Sequence, residues 1–314
     1  MSKLAPPAVL ALIALPESTL AALRKQYTLH HYPDGMPRDV PDAATIRAVV
    51  TNGSTGLSDA QMTQLPALEI VCAFGAGYEN VDMKTAAQRG IVVTHAPGTN
   101  ADTVADHAFG MLLALARGYA PLTAAVQQGR WQQSRQARPT LTGATLGIVG
   151  MGRIGRLIAA RAQGFAMTIG YHGRRPQRDA PGQYYASATA LAAVSDFLVI
   201  ACNGGPETRH LVDRPVLQAL GKSGYVVNVS RGSVLDTRAL LDALDAGEIA
   251  GVGLDVIENE PEVPAALFGH RDVLITPHMA GRSPASWLAQ RDALLASLSQ
   301  HFARARVELA IPSA

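Results

Sequence analysis

Cysteine is scarce in this chain. Only Cys72 and Cys202 occur among 314 residues, both in apolar runs and neither with a CxxC or Cys/His neighbourhood. No disulfide framework or metal site is expected, and both thiols read as core residues. An excess of one charge is missing as well: 27 Lys and Arg stand against 25 Asp and Glu, interspersed, for a formal net charge of +2. Only residues 135–138 and 174–178 are locally basic, which is no polyanion-binding signature and leaves nucleic acid outside the expected partners. No apolar run approaches the roughly 18 residues that span a bilayer, so no membrane partner is expected. Lys3 with residues 8–15 mimics a short signal peptide, but Pro16-Glu17-Ser18 reads as a helix start after a strand, and a cytoplasmic protein is expected. Internal repeats and low-complexity tracts are also lacking.

What the chain has is apolar residues, 48% of the total, and length enough for two domains of ordinary size. Short apolar segments at 9–15, 27–31, 46–51, 68–73 and 91–94 alternate with helix-like ones, a pattern that implies parallel pairing with ligands at the carboxyl ends of the strands. Two glycine-rich loops fall at such ends, Asn52-Gly53-Ser54-Thr55-Gly56 and Phe74-Gly75-Ala76-Gly77-Tyr78. Each alone reads as an ordinary turn, while together they can present backbone amides to a small anion. A helix over 100–116 repeats Val104, Ala108, Met111, Leu112 and Leu115 at helical spacing and links the two domains. The polar, irregular stretch 127–139 holds Trp131, which packs either on a neighbouring subunit or locally. Strand and helix alternation then resumes, with strands at 146–149, 167–171, 197–201, 225–229, 250–256 and 273–276, and a last helix over 285–305 crosses back. The expected fold is α/β: two Rossmann-like domains with parallel sheets and the active site in the cleft between them. Residues 1–97 and 285–314 form a discontinuous substrate domain, and 98–284 a dinucleotide-binding one.

The second domain opens with an apolar run that meets Gly150-Met151-Gly152-Arg153-Ile154-Gly155 and continues at helical spacing. Strand, glycine turn and helix in that order suit a pyrophosphate at the helix N-terminus, where unpaired amides and the helix dipole bind an anion without a basic side chain. An NAD site wants a carboxylate at the end of the following strand; this chain reads His172-Gly173-Arg174-Arg175, with no acid before Asp179. Two guanidiniums suit the 2′-phosphate of NADP(H) through charge-assisted, bidentate hydrogen bonds, so NADP(H) is preferred and NAD(H) remains possible.

Arg231, Glu260 and His278 stand at later strand ends of the same domain. Singly they read as a salt-bridge partner, a solvated turn residue and a satisfied histidine. Together they match hydride reduction of a ketone, in which charge develops on oxygen. His278 can donate the proton, Glu260 can orient its ring, and Arg231 can hold a substrate carboxylate while polarising the carbonyl. Asp255, after Gly253-Leu254, is either a contact for the nicotinamide carboxamide or a turn cap.

The glycine motif, Asn228-Val229-Ser230-Arg231-Gly232, Gly253-Leu254-Asp255-Val256, Glu260-Pro261 and Thr276-Pro277-His278 resemble the D-isomer-specific 2-hydroxyacid dehydrogenases, in that family's order. The resemblance starts at Gly75-Ala76-Gly77-Tyr78 and weakens after Ser283; residues 307–314 match nothing in it. It implies that Arg231 binds substrate, His278 donates the proton and Glu260 partners it. The amides of Ala76 and Gly77 would hold the substrate carboxylate, and Asp255 would meet the nicotinamide. Further cofactor contacts would come from Gly150, Gly152, Arg153, Ile154, Gly155, His172, Gly173, Arg174, Arg175, Cys202, Asn203, Thr208, Val229 and Gly281. The resemblance also implies a homodimer through residues 100–140. The arginine pair is similar to that of the NADPH-preferring glyoxylate and hydroxypyruvate reductases, while Asn203-Gly204-Gly205 departs from the Pro-Leu-Thr often found there. Other expectations left open are a dehydrogenase of D-lactate or phenyllactate, and a dinucleotide-sensing binding protein like the family's transcriptional corepressors. No Arg follows Val49-Val50-Thr51 to meet a substrate phosphate, which argues against a phosphoglycerate dehydrogenase.

Overall fold

The computed structural model describes residues 5–312. Contacts divide the chain into two compact units, one of residues up to Asn100 together with those from Ser283 onward, the other of Ala101–Arg282.

The first unit is built on β1 (Ala8–Ala11), β2 (Thr28–His31), β3 (Ile46–Thr51), β4 (Ile70–Ala73) and β5 (Val92–Thr94). They pair in parallel in the order β2-β1-β3-β4-β5. Successive side chains on a strand point to opposite faces, and in a parallel sheet covered on both sides each face must be apolar. Leu10, Val49, Val71 and Val93 accordingly pack into one cluster, while Val9, Ala48, Val50, Ile70 and Cys72 pack into another with Leu294 and Leu298. Those two leucines belong to the chain's last helix, Pro284–Phe302, which Ser283 and Ser286 start with a reciprocal capping box. Cys72 is buried and unbridged. Short helices α1 (Glu17–Arg24), α2 (Asp59–Thr63) and α3 (Met83–Gln88) complete the connections.

The second unit begins with α4 (Ala101–Arg117) and α5 (Tyr119–Gln127), followed by seven parallel strands: β6 (Thr145–Val149), β7 (Thr168–His172), β8 (Gln183–Tyr185), β9 (Phe197–Ile200), β10 (Tyr225–Asn228), β11 (Gly251–Leu254) and β12 (Val273–Ile275). Their order is β12-β11-β10-β9-β6-β7-β8. The chain enters at β6, runs outward to β8 and returns to β9 on the other side of β6, which makes the β6/β9 boundary the switch point where such sheets take ligands. On one face Leu112 and Leu115 of α4 share a core with Ile148 and Val227, along with Ile158 of α6 (Arg153–Gln163). On the other lie α7 (Ala188–Ala192), α8 (Arg214–Leu220) and α9 (Thr237–Asp245), through Leu191, Leu217 and Leu240.

Three local readings change. Strand β8 was not anticipated, because three residues carry no usable period, and α5 occupies the stretch just before the irregular loop. Trp131 is 61% exposed, which removes local packing as its account. Among the described residues no single helix is long and apolar enough to cross a membrane.

Candidate active site

The glycine turn at the end of β6 is shaped by two different demands. Gly150 has φ +102, and a Cβ there would lie 2.5 Å from the Cys202 backbone; Gly155 would drive a Cβ into the carbonyl of Gly150. Both positions are therefore glycine for reasons internal to the fold. Gly152 is not: a Cβ there would meet nothing within 4 Å. It is the N-cap of α6 and supplies no side-chain cap, so the first-turn amides of Arg153 and Ile154 face open space at the positive end of the helix. A cradle that is empty of protein and lined by uncapped amides fits a pyrophosphate.

Beside it, the amide of Gly150 bonds the carbonyl of His172 at 2.9 Å, joining the turn to the end of β7. The His172 ring does not point at a ligand with both nitrogens: Nδ1 donates to the Tyr185 carbonyl at 2.9 Å and fastens β7 to β8. Arg174 and Arg175 are exposed, and no carboxylate among the described residues pairs with either guanidinium. Nearby Arg156, by contrast, is spent on Gln177 and the Asp179 carbonyl. The β7 edge thus offers two uncommitted cations and no acid, which suits a 2′-phosphate better than a bare ribose hydroxyl.

Three further assigned contacts are narrowed by their surroundings. The Thr208 hydroxyl donates to the carbonyls of Asn203 and Gly205, so it shapes the 203–208 loop from inside. Val229 is a core residue, 6% exposed, which leaves only its backbone for a ligand. Cys202 is half-buried with its thiol pushed up to about 11, mainly by burial, and it forms part of the wall behind Gly150.

At the ends of β10, β11 and β12 the reacting groups come together. Asn228, fully buried, accepts from the Ser230 amide and hydroxyl and donates to the Arg231 carbonyl, which fixes the turn that carries Arg231. Gly232 lies directly on the Ile257–Glu258 backbone, so this turn and the 258–260 turn are packed together. Glu260 Oε2 is 2.7 Å from His278 Nδ1, and its Oε1 accepts from the Ile257 amide at 3.1 Å. Burial alone would raise the Glu260 carboxyl, but the His278 hydrogen bond, the Ile257 amide and the charge of Arg231 together hold it below the ordinary value. A carboxylate cannot donate, so Nδ1 carries the proton toward Glu260 and Nε2 is left without a partner among the described residues.

His278 sits in the left-handed region at φ +50, a conformation that a non-glycine residue holds only when its surroundings impose it. The imposing residue is Asp255. Its carbonyl accepts from the His278 amide at 2.8 Å, and its carboxylate accepts from the Met279 and Ala280 amides at 2.9 Å each and from the Thr276 hydroxyl at 2.6 Å. His107 of α4 adds a bond to Thr276 Oγ1 at 3.0 Å and stands 3.5 Å from the carboxylate. With a 2% exposed side chain, Asp255 serves first to hold the 276–280 turn, and Gly281 follows directly on it.

In the first unit, the loop after β4 presents the Ala76 and Gly77 amides, neither of which has an acceptor among the described residues. The neighbouring loop after β3 is held to it by Asn80, whose Nδ2 donates to the Ser54 carbonyl at 2.9 Å.

The family model for the D-isomer specific 2-hydroxyacid dehydrogenase NAD binding domain matches residues 109–280. The chain is 39% identical to a glyoxylate/hydroxypyruvate reductase of Arabidopsis thaliana, over 82% of this chain and 83% of that one. It belongs to the D-isomer specific 2-hydroxyacid dehydrogenases. The dehydrogenase is also 38% identical to a hydroxyphenylpyruvate reductase of Plectranthus scutellarioides, over 83% of each chain. Among solved structures it superposes with TM-score 0.91 on an NADPH-dependent glyoxylate/hydroxypyruvate reductase from Sinorhizobium meliloti in complex with NADP and malonate, at 34% identity and 98% coverage of both chains.

Sequence reasoning about this dehydrogenase missed the supports of the reacting groups. His107 and Thr276 are 169 positions apart, and nothing in either segment signals the other. Likewise His210 Nε2 and Arg209 both hold Glu258 Oε1, at 2.8 and 2.9 Å, tying the 203–210 loop to the turn that bears Glu260. Gly204 leaves room for the aliphatic stem of Arg231, whose Cγ would lie 2.6 Å from a Cβ there, which gives that one position of the departure from Pro-Leu-Thr a steric reason.

Proposed function

We propose that this dehydrogenase reduces small 2-keto acids, glyoxylate and hydroxypyruvate foremost, to 2-hydroxy acids with NADPH. The observation that carries the reading is the 2.7 Å bond from His278 Nδ1 to Glu260, because it leaves Nε2 as the proton-delivering atom. The reduced nicotinamide supplies the hydride when bound, held through its pyrophosphate by the amides of Arg153 and Ile154 and through its 2′-phosphate by Arg174 and Arg175.

The remaining work falls to the chain's own groups. Arg231 binds substrate and polarises the carbonyl, and the amides of Ala76 and Gly77 hold a carboxylate, which makes the first unit the substrate domain. As charge develops on the carbonyl oxygen, the protonated ring of His278 delivers a proton from Nε2, and the Glu260 carboxylate stabilises the ring while it is charged. Asp255 keeps the left-handed turn in place throughout; its remaining capacity is the contact for the carboxamide. Two relatives named for glyoxylate and hydroxypyruvate support the small substrates, and the NADP of the second supports the cofactor.

A second copy of the chain completes the protein as a homodimer over Tyr119, Val126 and Trp131, large apolar side chains that are 56%, 46% and 61% exposed. Sedimentation of a single monomeric species would remove this part.

Initial rates with NADPH and NADH against glyoxylate, hydroxypyruvate, pyruvate, phenylpyruvate and 4-hydroxyphenylpyruvate test the whole. Fastest turnover with NADPH and the two small acids is expected. Preference for the aromatic acids would replace the substrate class, and cofactor binding without turnover of any acid would favour a dinucleotide-sensing protein.

A further inference from the structure

Two successive peptide groups in the loop after β4 are fixed from one side by the segment that follows β5. The Ala96 amide donates to the Gly75 carbonyl at 2.7 Å. His95 Nδ1 lies 2.9 Å from the Ala76 carbonyl, and since a carbonyl only accepts, Nδ1 must be the donor. The His95 ring is steadied by Tyr78, whose ring meets it edge-on at 5.1 Å.

A trans peptide group is planar, with its C=O and N–H pointing in opposite directions. Gly75 C=O shares its plane with Ala76 N–H, and Ala76 C=O shares its plane with Gly77 N–H. Pinning both carbonyls toward residues 95 and 96 therefore turns both amides the other way, side by side and without acceptors among the described residues. Donation from His95 also polarises the Ala76–Gly77 peptide and makes the Gly77 N–H a stronger donor.

We infer that His95 is a positioning residue for substrate: it sets the direction and strength of the Gly77 amide that receives the 2-keto acid carboxylate. The inference rests on the carboxylate role given above to the Ala76 and Gly77 amides. The neutral Nδ1–H ring and the charged ring both donate, so the device works at either protonation state. Asparagine can replace it, because its Nδ2 reaches the place of Nδ1, whereas leucine fills the space without a donor and glutamine carries its amide one bond too far.

The test compares wild type with His95→Leu, His95→Asn and His95→Gln. It reads kcat and KM for glyoxylate, the dissociation constant for NADPH, and calorimetric binding of oxalate to the NADP-loaded protein. Expected for Leu and Gln is a loss of carboxylate affinity of about tenfold, seen equally in KM and in oxalate binding, with kcat and NADPH affinity little changed. Asn should return both to within about threefold of wild type. Equal affinities across all four proteins would overturn the role of His95. Equal impairment of Asn and Leu would overturn it too, by making the ring's bulk the cause. Should Leu not fold, the Asn and Gln pair still decides the matter. A wild type that binds oxalate but reduces no keto acid defeats the proposed reaction and leaves the inference standing on binding alone; a wild type that reduces glyoxylate while all variants bind oxalate normally defeats only the inference.

Discussion

The five-stranded and seven-stranded sheets are both parallel and both bury their strands on two faces, yet their carboxyl edges carry different chemistry. The seven-stranded edge sets charged or titratable side chains, Arg174, Arg175, Arg231, Glu260 and His278, beside the uncapped amides of α6. The five-stranded edge offers backbone, through the Ala76 and Gly77 amides, whose neighbouring carbonyls are held by Ala96 and His95. Charged groups at a strand end announce themselves in a sequence, and an amide shows there only as a glycine-rich loop. Where a function is built from peptide groups, the informative residues are those that hold the carbonyls on the far side, as His95 holds Ala76.

The largest effect is expected at His278. His278→Ala should lower kcat by about 10²- to 10⁴-fold while the dissociation constant for NADPH stays within error; steady-state rates with fluorescence titration read both, and undiminished turnover would take the proton donor away from this edge. Next in size is the arginine pair. Arg174→Ala with Arg175→Ala should weaken NADPH by roughly 10- to 100-fold and leave NADH nearly untouched. Equal loss for both cofactors would show the pair acting on something other than the 2′-phosphate.

The glycine turn gives a contrast within one motif. Gly152→Ala places a methyl in open space, so its melting temperature should match wild type while cofactor affinity drops on the order of tenfold. Gly150→Ala forces a positive φ and a clash with Cys202, so here the melting temperature itself should fall by several degrees, about 1–3 kcal/mol of strain. A stable Gly152→Ala protein with normal affinity would mean that no ligand approaches that backbone.

Smallest is the pH effect at Glu260. Its folded carboxyl lies below the ordinary value of 4.5, so the stability it contributes is complete above that value and is lost as pH falls through the lowered one. The melting-temperature difference between wild type and Glu260→Gln should therefore shrink in buffer more acidic than about 4.5. A difference that grows below that value would contradict the lowered carboxyl.

Much of this architecture was legible in the residues. The two parallel sheets followed from short apolar runs, the glycine turn from its place between strand and helix, and the reductase reading from three side chains at strand ends. What was not legible depends on distant partners. Asp255 looks like a ligand contact or a cap in sequence, and only the folded chain shows it gathering Thr276, Met279, Ala280 and His107 around the left-handed His278. His172 and Val229 belong to motifs that suggest ligands, but one ring nitrogen of His172 is spent on Tyr185 and the Val229 side chain lies in the core. Strand β8 escaped because its three residues are held by pairing with β7 and not by any pattern of their own.

The most direct measurement of the central claim is the product of hydroxypyruvate reduction: NADPH consumption followed in parallel with chiral chromatography of the glycerate formed. One D-glycerate is expected for each NADPH oxidised. L-glycerate, or tight NADPH binding with no glycerate at all, would contradict it.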